Sequence, residues 1–414
     1  MCIFNPANIL LPNERIKLDT WSVIACDQFT SQAEYWERVR ANVGEAPSSV
    51  NLIIPESELK GDLEEKAKKI NHTMYDYLNR KIFSEHPNSY IYVERTMQNG
   101  SIRAGIVGAI DLEEYDYSKD SNSSVRATEA TIVERLPARM IVRRNAPVEL
   151  PHILVLCNDD KKILIESITE KKAELKKVYD FELMENGGHI SGWLIDGKHV
   201  DAFEEALQTY KNDMLEKGAQ LNSNMVFAVG DGNHSLATAK SCYEEIKKNA
   251  SDDVSNHPAR YALVELENIY AESQEFEPIH RIVKNVNTEL LLKEIKANIT
   301  AEDGYPVTWY CGEEQEEIYL DKNKHPLAVG VLQEFLDVFL KEHGGEIDYI
   351  HGNDVVQELA KQENSIGFIL PAIEKNSLFE GVMVKGVLPR KTFSMGHAVE
   401  KRYYLEARKI REDV

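Results

Sequence analysis

Short continuous apolar runs alternate along the chain with longer stretches in which apolar residues return about once per helical turn. The first pattern marks a buried strand and the second an amphipathic helix. Helical periodicity covers Asp62 to Ile82, Val200 to Glu216, His234 to Lys248, Glu289 to Ile299 and Val331 to Glu342. Strand-like runs occupy Trp21 to Ala25, His152 to Cys157, Met225 to Val229, Arg260 to Tyr270, Pro306 to Cys311, Ile318 to Leu320 and Ile366 to Leu370. The spacing Ser31-Gln32-Ala33-Glu34 fits a capping box that opens a helix through Ala41. Two β-rich runs, Tyr90 to Met97 and Ser101 to Ile110, flank Gln98-Asn99-Gly100, and Asn-Gly is the strongest short hairpin turn. Asp180 to Glu185 and His189 to Ile195 pair in the same way around Asn186-Gly187-Gly188. Ser118 to Ser124 is a polar loop, Ala127 to Leu136 reads as a helix, and Leu378 to Val387 reads as a helical turn.

Hairpins interrupt a pure strand–helix alternation, so the pattern predicts a mixed α/β (α+β) protein with mixed sheets and flanking helices. A chain of 414 residues holds two or three domains. Cuts near residues 120 and 285 give an N-terminal α/β region 1–120, a core region 121–285 and a C-terminal α/β region 286–414.

Charge narrows the choice of partners. The 48 basic residues face 69 acidic ones, a net of −21. Such a field disfavours nucleic acid and anionic membrane surfaces, while leaving room for a local phosphate pocket. The five cysteines (Cys2, Cys26, Cys157, Cys242 and Cys311) form no CxxC pair, which points to a reducing cytoplasm rather than a disulfide framework or zinc knuckle. Met1 to Pro12 lacks the basic start of a signal peptide. No apolar run approaches the roughly 18 residues of a membrane span. His72, His86, His189, His199 and His257 have no ligand-type partner one turn away, so no structural metal is expected.

Chemistry concentrates at Gly230-Asp231-Gly232-Asn233-His234-Ser235, between an apolar strand and a helix. Such a junction aims backbone N–H groups and the positive end of the helix dipole at one spot, a natural seat for phosphate. The glycines permit positive φ and close approach of a ligand. Asp231 offers a magnesium ligand or proton acceptor, and His234 an acid or base near neutral pH. The bland alternative is an Asp-Gly turn followed by a capping Asn233. The Walker-type lysine is missing from the loop.

The loop resembles the Asp-Gly-His-His-Arg hallmark of the family catalogued as domain of unknown function 1015, here written Asp231-Gly232-Asn233-His234-Ser235. Four further segments match that family in order. They are Ile24 to Ser31, Arg126-Ala127-Thr128-Glu129-Ala130-Thr131 with Arg135, Phe276-Glu277-Pro278-Ile279-His280-Arg281, and Leu388-Pro389-Arg390-Lys391-Thr392-Phe393. The chain departs from the pattern at Asn233 and Ser235, and Ala25-Cys26 replaces the family's Pro-Pro-Tyr start. Losing the loop arginine leaves a phosphate clamp to be supplied from elsewhere, with Arg135, Arg281 and Lys391 as candidates.

The resemblance implies a ParB/sulfiredoxin-like core, a superfamily whose members include CTP-binding partitioning proteins and a free-serine kinase. It implies a nucleotide (ADP or ATP) or phosphate site at the loop. Gene neighbourhoods in that family favour serine or phosphoserine as substrate. On this reading Glu129, Asp231 and His234 are catalytic, and Asp231 also holds magnesium. Gly230, Gly232, Asn233, Ser235, Asp27, Arg135, His280, Arg281 and Lys391 line the binding site. The expected activity is a phosphotransferase or phosphatase acting on a small phosphorylated hydroxy amino acid. The alternative is a nucleotide-binding regulator without turnover.

Overall fold

The Asn99-Gly100 turn closes as its residues require. In the computed structural model, which describes residues 2–274 and 276–414, Gly100 sits at φ 82°. Ile102–Asp111 returns antiparallel along Phe83–Thr96, with Ile91 opposite Val107 and Thr96 opposite Ile102. This hairpin lies inside a mixed sheet of 11 strands. Across it run Tyr115–Asp116, Val125–Ala127, Phe227–Asp231, Leu154–Cys157, Tyr261–Asn268, Ile102–Asp111, Phe83–Thr96, His189–Ile195 and Lys176–Glu182. The site-bearing strand Phe227–Asp231 is parallel to Val125–Ala127 and antiparallel to Leu154–Cys157.

This sheet belongs to the first of two compact units, made of residues 2–127, 131–274 and 397–414. Its core gathers Trp21, Ile24, Trp36, Val39, Met74, Ile91 and Val107 with Tyr403, Tyr404, Leu405 and Ala407 from the far end of the chain. The C-terminal segment is bound in by main-chain pairing of Leu10 with Ala407 and of Ile24 with Tyr403. The Trp21 indole N–H also donates to the Leu405 carbonyl at 3.1 Å.

Three local expectations change. Trp21 to Ala25 is not a strand; Leu18–Trp21 is a single helical turn, and Ile24 makes one bridge. These residues are buried by the returning C-terminal segment, so their apolar run reflects burial without a ladder. The helix after Ser31 is Ala33–Val43, with Gln32 at its N-cap and no side-chain cap, so the capping box does not form. Ala127 to Leu136 is not a helix. Val125–Ala127 is a strand, Val133–Arg135 a 3-10 turn, and the α-helix is Leu136–Arg143, with a proline in its first turn. The β-branched Thr128, Thr131, Ile132 and Val133 resist helix, and Pro137 sets where it begins. By contrast Leu63–Asn79 forms as its periodicity requires, capped by the Asp62 carboxylate accepting the Glu65 N–H at 3.0 Å.

The second unit holds Thr128–Ala130 and residues 276–396. Its sheet of five antiparallel strands runs Glu314–Asp321, Gly304–Cys311, Ile366–Ile369, His280–Lys284 and Glu346–Ile350. Thr288–Asn298, Ala328–His343, Asn353–Leu359 and Lys375–Lys385 are its helices. The mixed α/β class is thus present in both units. The sequence reading placed cuts near 120 and 285; the units change over instead at 127/128 and near 275, and His397–Val414 returns to the first unit. No helix among the described residues is long and apolar enough to cross a membrane.

Candidate functional site

The loop forms because a buried strand must turn sharply into a helix. Phe227, Ala228 and Val229 are fully enclosed. Gly232 then takes the left-handed conformation at φ 77°, and a Cβ there would lie 3.0 Å from the Ile153 Cα. Both facts demand glycine. Gly232 is also the N-cap of helix Asn233–Asn249, a place the sequence offered to Asn233. Its carbonyl accepts the N–H groups of Ser235 and Leu236 at 2.9 and 3.1 Å.

Asp231 is held from two sides. One carboxylate oxygen accepts the Gly232 N–H at 2.9 Å, and the other lies 3.1 Å from the Lys401 Nζ. The Lys401 side chain is 13% exposed and that of Asp231 24%, so the pair is shielded yet reachable from solvent.

Beside this pair runs a polar chain. The Ser235 hydroxyl is 3.1 Å from the His152 Nε2, and the Tyr404 hydroxyl 2.7 Å from the His152 Nδ1. An Asp27 carboxylate oxygen lies 3.9 Å from the same Nε2. The arrangement looks like an activated serine, but its wiring runs the other way. The Tyr404 oxygen accepts the Cys26 N–H at 3.2 Å, which leaves its own proton free for the His152 Nδ1. In that tautomer a neutral His152 carries its proton on Nε2 and donates to the Ser235 hydroxyl, while Asp27, at 3.9 Å, lies beyond hydrogen-bond reach. So wired, it orients Ser235 and does not take the serine proton. Burial, with Asp27 beside it, pushes the Cys26 thiol up to about 12, so it is no thiolate at neutral pH.

Burial alone would raise the Asp27 carboxyl. His152, the Gln28 amide and Lys401 outweigh it and hold Asp27 below the usual carboxylate range. The His234 imidazole is shifted the opposite way. Burial, then the Arg139 and Arg135 guanidinium groups, lowers its pKa. Its Nε2 accepts the Ile132 N–H at 3.2 Å, which leaves Nδ1 as the protonated nitrogen of a neutral ring. Arg139 in turn pairs with Glu56 at 2.8 Å.

The first unit thus brings together Asp27, Arg135, Gly230, Asp231, Gly232, Asn233, His234 and Ser235. Glu129, His280, Arg281 and Lys391 belong to the second unit. There the Glu129 carboxylate accepts the Lys391 N–H at 3.0 Å. Glu129 stands in extended chain beside Leu388, so the helix that would carry Arg135 near it on a following turn is absent. His280 and Arg281 are not a surface dipeptide; they are 3% and 0% exposed within strand His280–Lys284. The Arg281 guanidinium donates to the Gln333 side-chain oxygen at 2.7 Å and the Ile279 carbonyl at 2.6 Å.

Magnesium at Asp231 meets a poor fit. Its two oxygens already serve Gly232 and Lys401. Among the described residues, no group of three or more His, Cys, Asp or Glu side chains is arranged to hold a metal ion. The protein's own side chains therefore do not build a magnesium site at this loop.

A family model described as "Protein of unknown function (DUF1015)" matches residues 6–346. The chain belongs to that family. Within the DUF1015 match lie the loop, Asp27 and His152, whereas Lys401 and Tyr404 fall beyond its last residue. No curated protein matches the chain in sequence. Among solved structures it is similar, at 12% identity, to SbnI with C-terminal truncation from Staphylococcus aureus, with a TM-score of 0.35 over 70% of this chain and 83% of that one. It is similar at the same 12% identity to a free serine kinase in complex with AMP, with a TM-score of 0.36 over 74% and 91%. A conserved hypothetical protein from Pyrococcus furiosus gives 12% identity and 0.33 over 73% and 94%. Likeness at these scores fixes neither activity nor site.

Sequence reading missed His152, Tyr404 and Lys401. His152 was visible only as the start of a strand. Lys401 and Tyr404 sit in a basic-then-aromatic run, Lys401-Arg402-Tyr403-Tyr404, whose one signal was that the aromatics had no helical or strand period to serve.

Proposed function

We propose that this protein transfers a phosphoryl group to or from a small hydroxy compound of the serine or phosphoserine class, with a nucleotide such as ADP or ATP as the other partner. The observation that carries this reading is the juxtaposition, within one unit, of a glycine-turned helix start, the Asp231–Lys401 ion pair and the Asp27–His152–Ser235 cluster. Phosphoryl transfer asks little covalent chemistry of a protein; it needs positioning and charge neutralisation. The helix start and Lys401 would receive phosphate oxygens. Asp27, kept ionised, would orient the substrate hydroxyl and accept its proton as the oxygen bonds to the terminal phosphorus of ATP and the bond from that phosphorus to the bridging oxygen breaks, with ADP leaving. His152, donating from Nε2, would hold Ser235 in place beside Asp27. Simple phosphoserine hydrolysis with His234 as acid is less favoured, because the N–H of a ring held neutral is too weak an acid to protonate a leaving oxygen.

Phosphorus-31 NMR of the purified protein with phosphoserine and ADP, with and without magnesium, tests the reading. ATP formation dependent on the protein is expected. Free phosphate without nucleotide would make the protein a phosphatase instead. Unchanged spectra combined with measurable ADP binding would favour the regulator without turnover, which the serine in place of a loop arginine also suits.

A further inference from the structure

The loop's own sequence supplies too little positive charge for a phosphate. Helix Asn233–Asn249 has no basic residue in its first turn, and a helix end offers only about half an elementary charge. The segment His397–Lys401 carries what the loop lacks.

Arg95 is 3% exposed, and its guanidinium donates to the carbonyls of Val399 at 2.6 Å, Glu400 at 3.0 Å, Lys401 at 2.5 Å and Gly187 at 2.8 Å. The Tyr403 ring lies beneath it at 4.9 Å. Arg103 adds a second bond to the Glu400 carbonyl at 2.9 Å. Burying a guanidinium costs free energy that hydrogen bonding must offset. Here three of its five bonds go to one short stretch of main chain, Val399 to Lys401, and two go to Gly187, which together hold the Cα of Lys401. From that anchor the side chain reaches Asp231, not open solvent.

We propose that Lys401 is the cation of the loop, delivered by the C-terminal segment that Arg95 pins, and that it serves in place of both a loop arginine and a metal ion. Asp231 is its resting partner. An ammonium has three donors, so Lys401 can turn toward a phosphate oxygen while Asp231 yields. The inference rests on the loop being a phosphate site, as argued above. It assigns Lys401 as a binding residue and Arg95 as a positioning residue.

The test is calorimetric binding of inorganic pyrophosphate to the full chain in EDTA, comparing the natural protein with K401Q, K401R and D231N. The natural protein binds pyrophosphate in EDTA, and K401Q binds it about tenfold to a hundredfold more weakly, the worth of one charged hydrogen bond. K401R keeps most of the affinity. D231N binds as tightly as the natural protein or tighter, because the lysine has lost its competitor. Should K401Q fold poorly, K401Q/D231N, which removes both charges together, is expected to show the same loss. Equal binding by the natural protein and K401Q overturns the assignment while leaving the phosphate site standing. Binding that vanishes in EDTA, returns with magnesium and is lost in D231N also overturns it, since a metal is then the cation. A natural protein that binds no pyrophosphate under any condition defeats the phosphate-site reading itself.

Discussion

Lys401 in the first unit and Arg281 in the second are both cations in an acidic chain, and their surroundings give them opposite uses. Arg281 has no exposed surface, stacks on the Tyr349 ring at 4.7 Å and spends its donors on Gln333, the Ile279 carbonyl and the Arg390 carbonyl. Burial lowers its pKa to about 10. Every feature ties it to the packing of its own unit. Lys401 keeps some exposure and pairs with the Asp231 carboxylate, which is itself accessible. A charge is available to a ligand when it is shielded enough to be strong and committed weakly enough to be exchanged. Sequence alone ranks the arginine higher, since a Pro-x-His-Arg segment looks like a clamp and Lys401 stands in no motif.

The comparison breaks most sharply at Arg281. R281M leaves Gln333 and two carbonyls without their donor and is expected to lower unfolding stability by about 2–4 kcal/mol. Pyrophosphate affinity should stay within about twofold of the natural value. K401Q should reverse the pattern, with a stability cost of about 1 kcal/mol or less and the large loss in binding. Urea denaturation paired with calorimetry reads both. If R281M abolishes binding while remaining folded, the two cations do not divide their roles in this way.

Next in size is Tyr404. Y404F takes from His152 the proton donor at its Nδ1 and from the Cys26 N–H its acceptor, both inside the core, at a cost of about 1–2 kcal/mol. Nitrogen-15 shifts of His152 check the wiring directly. In the natural protein Nε2 should be protonated and Nδ1 not. The reverse pattern would make Ser235 an activated nucleophile and revive a covalent mechanism.

How far the sequence carried differs between the same two regions. The hairpin at Asn99-Gly100, helix Leu63–Asn79 and the turn at Gly230 to Gly232 were legible because local chemistry dictates them. Glu129 was misread because an alternating Thr-rich tract flanked by charges imitates a helix, whereas its neighbours pair with strand Phe227–Asp231 and with Leu388. The Asp231–Lys401 pair was invisible for a different reason. Nothing near either residue encodes the return of the C-terminal segment; Arg95, Trp21 and Tyr404 bring it about through tertiary bonds.

The smallest expected effect is a pair of opposed pH dependences in the first unit. His234 is buried near two arginines, and its pKa is lowered. Between that lowered value and the ordinary histidine value the unfolded chain binds more protons, so stability falls as pH falls through this window. His189 is the reverse case. Its ring nitrogens lie 2.7 Å from Asp180 and 2.8 Å from Glu182, and the Asp180 bond chiefly raises its pKa. Its contribution is whole below the ordinary histidine value and is lost as pH rises through the raised one. The His189 side chain is 36% exposed, so solvent and salt screen much of its effect. H234Q should therefore flatten the acid side of a stability–pH curve, and H189Q the alkaline side. Identical curves for the two variants would mean that neither ring meets the surroundings described. An H234Q protein that loses stability on the acid side would show that His234 is charged in the folded state, which would return it to contention as a proton donor.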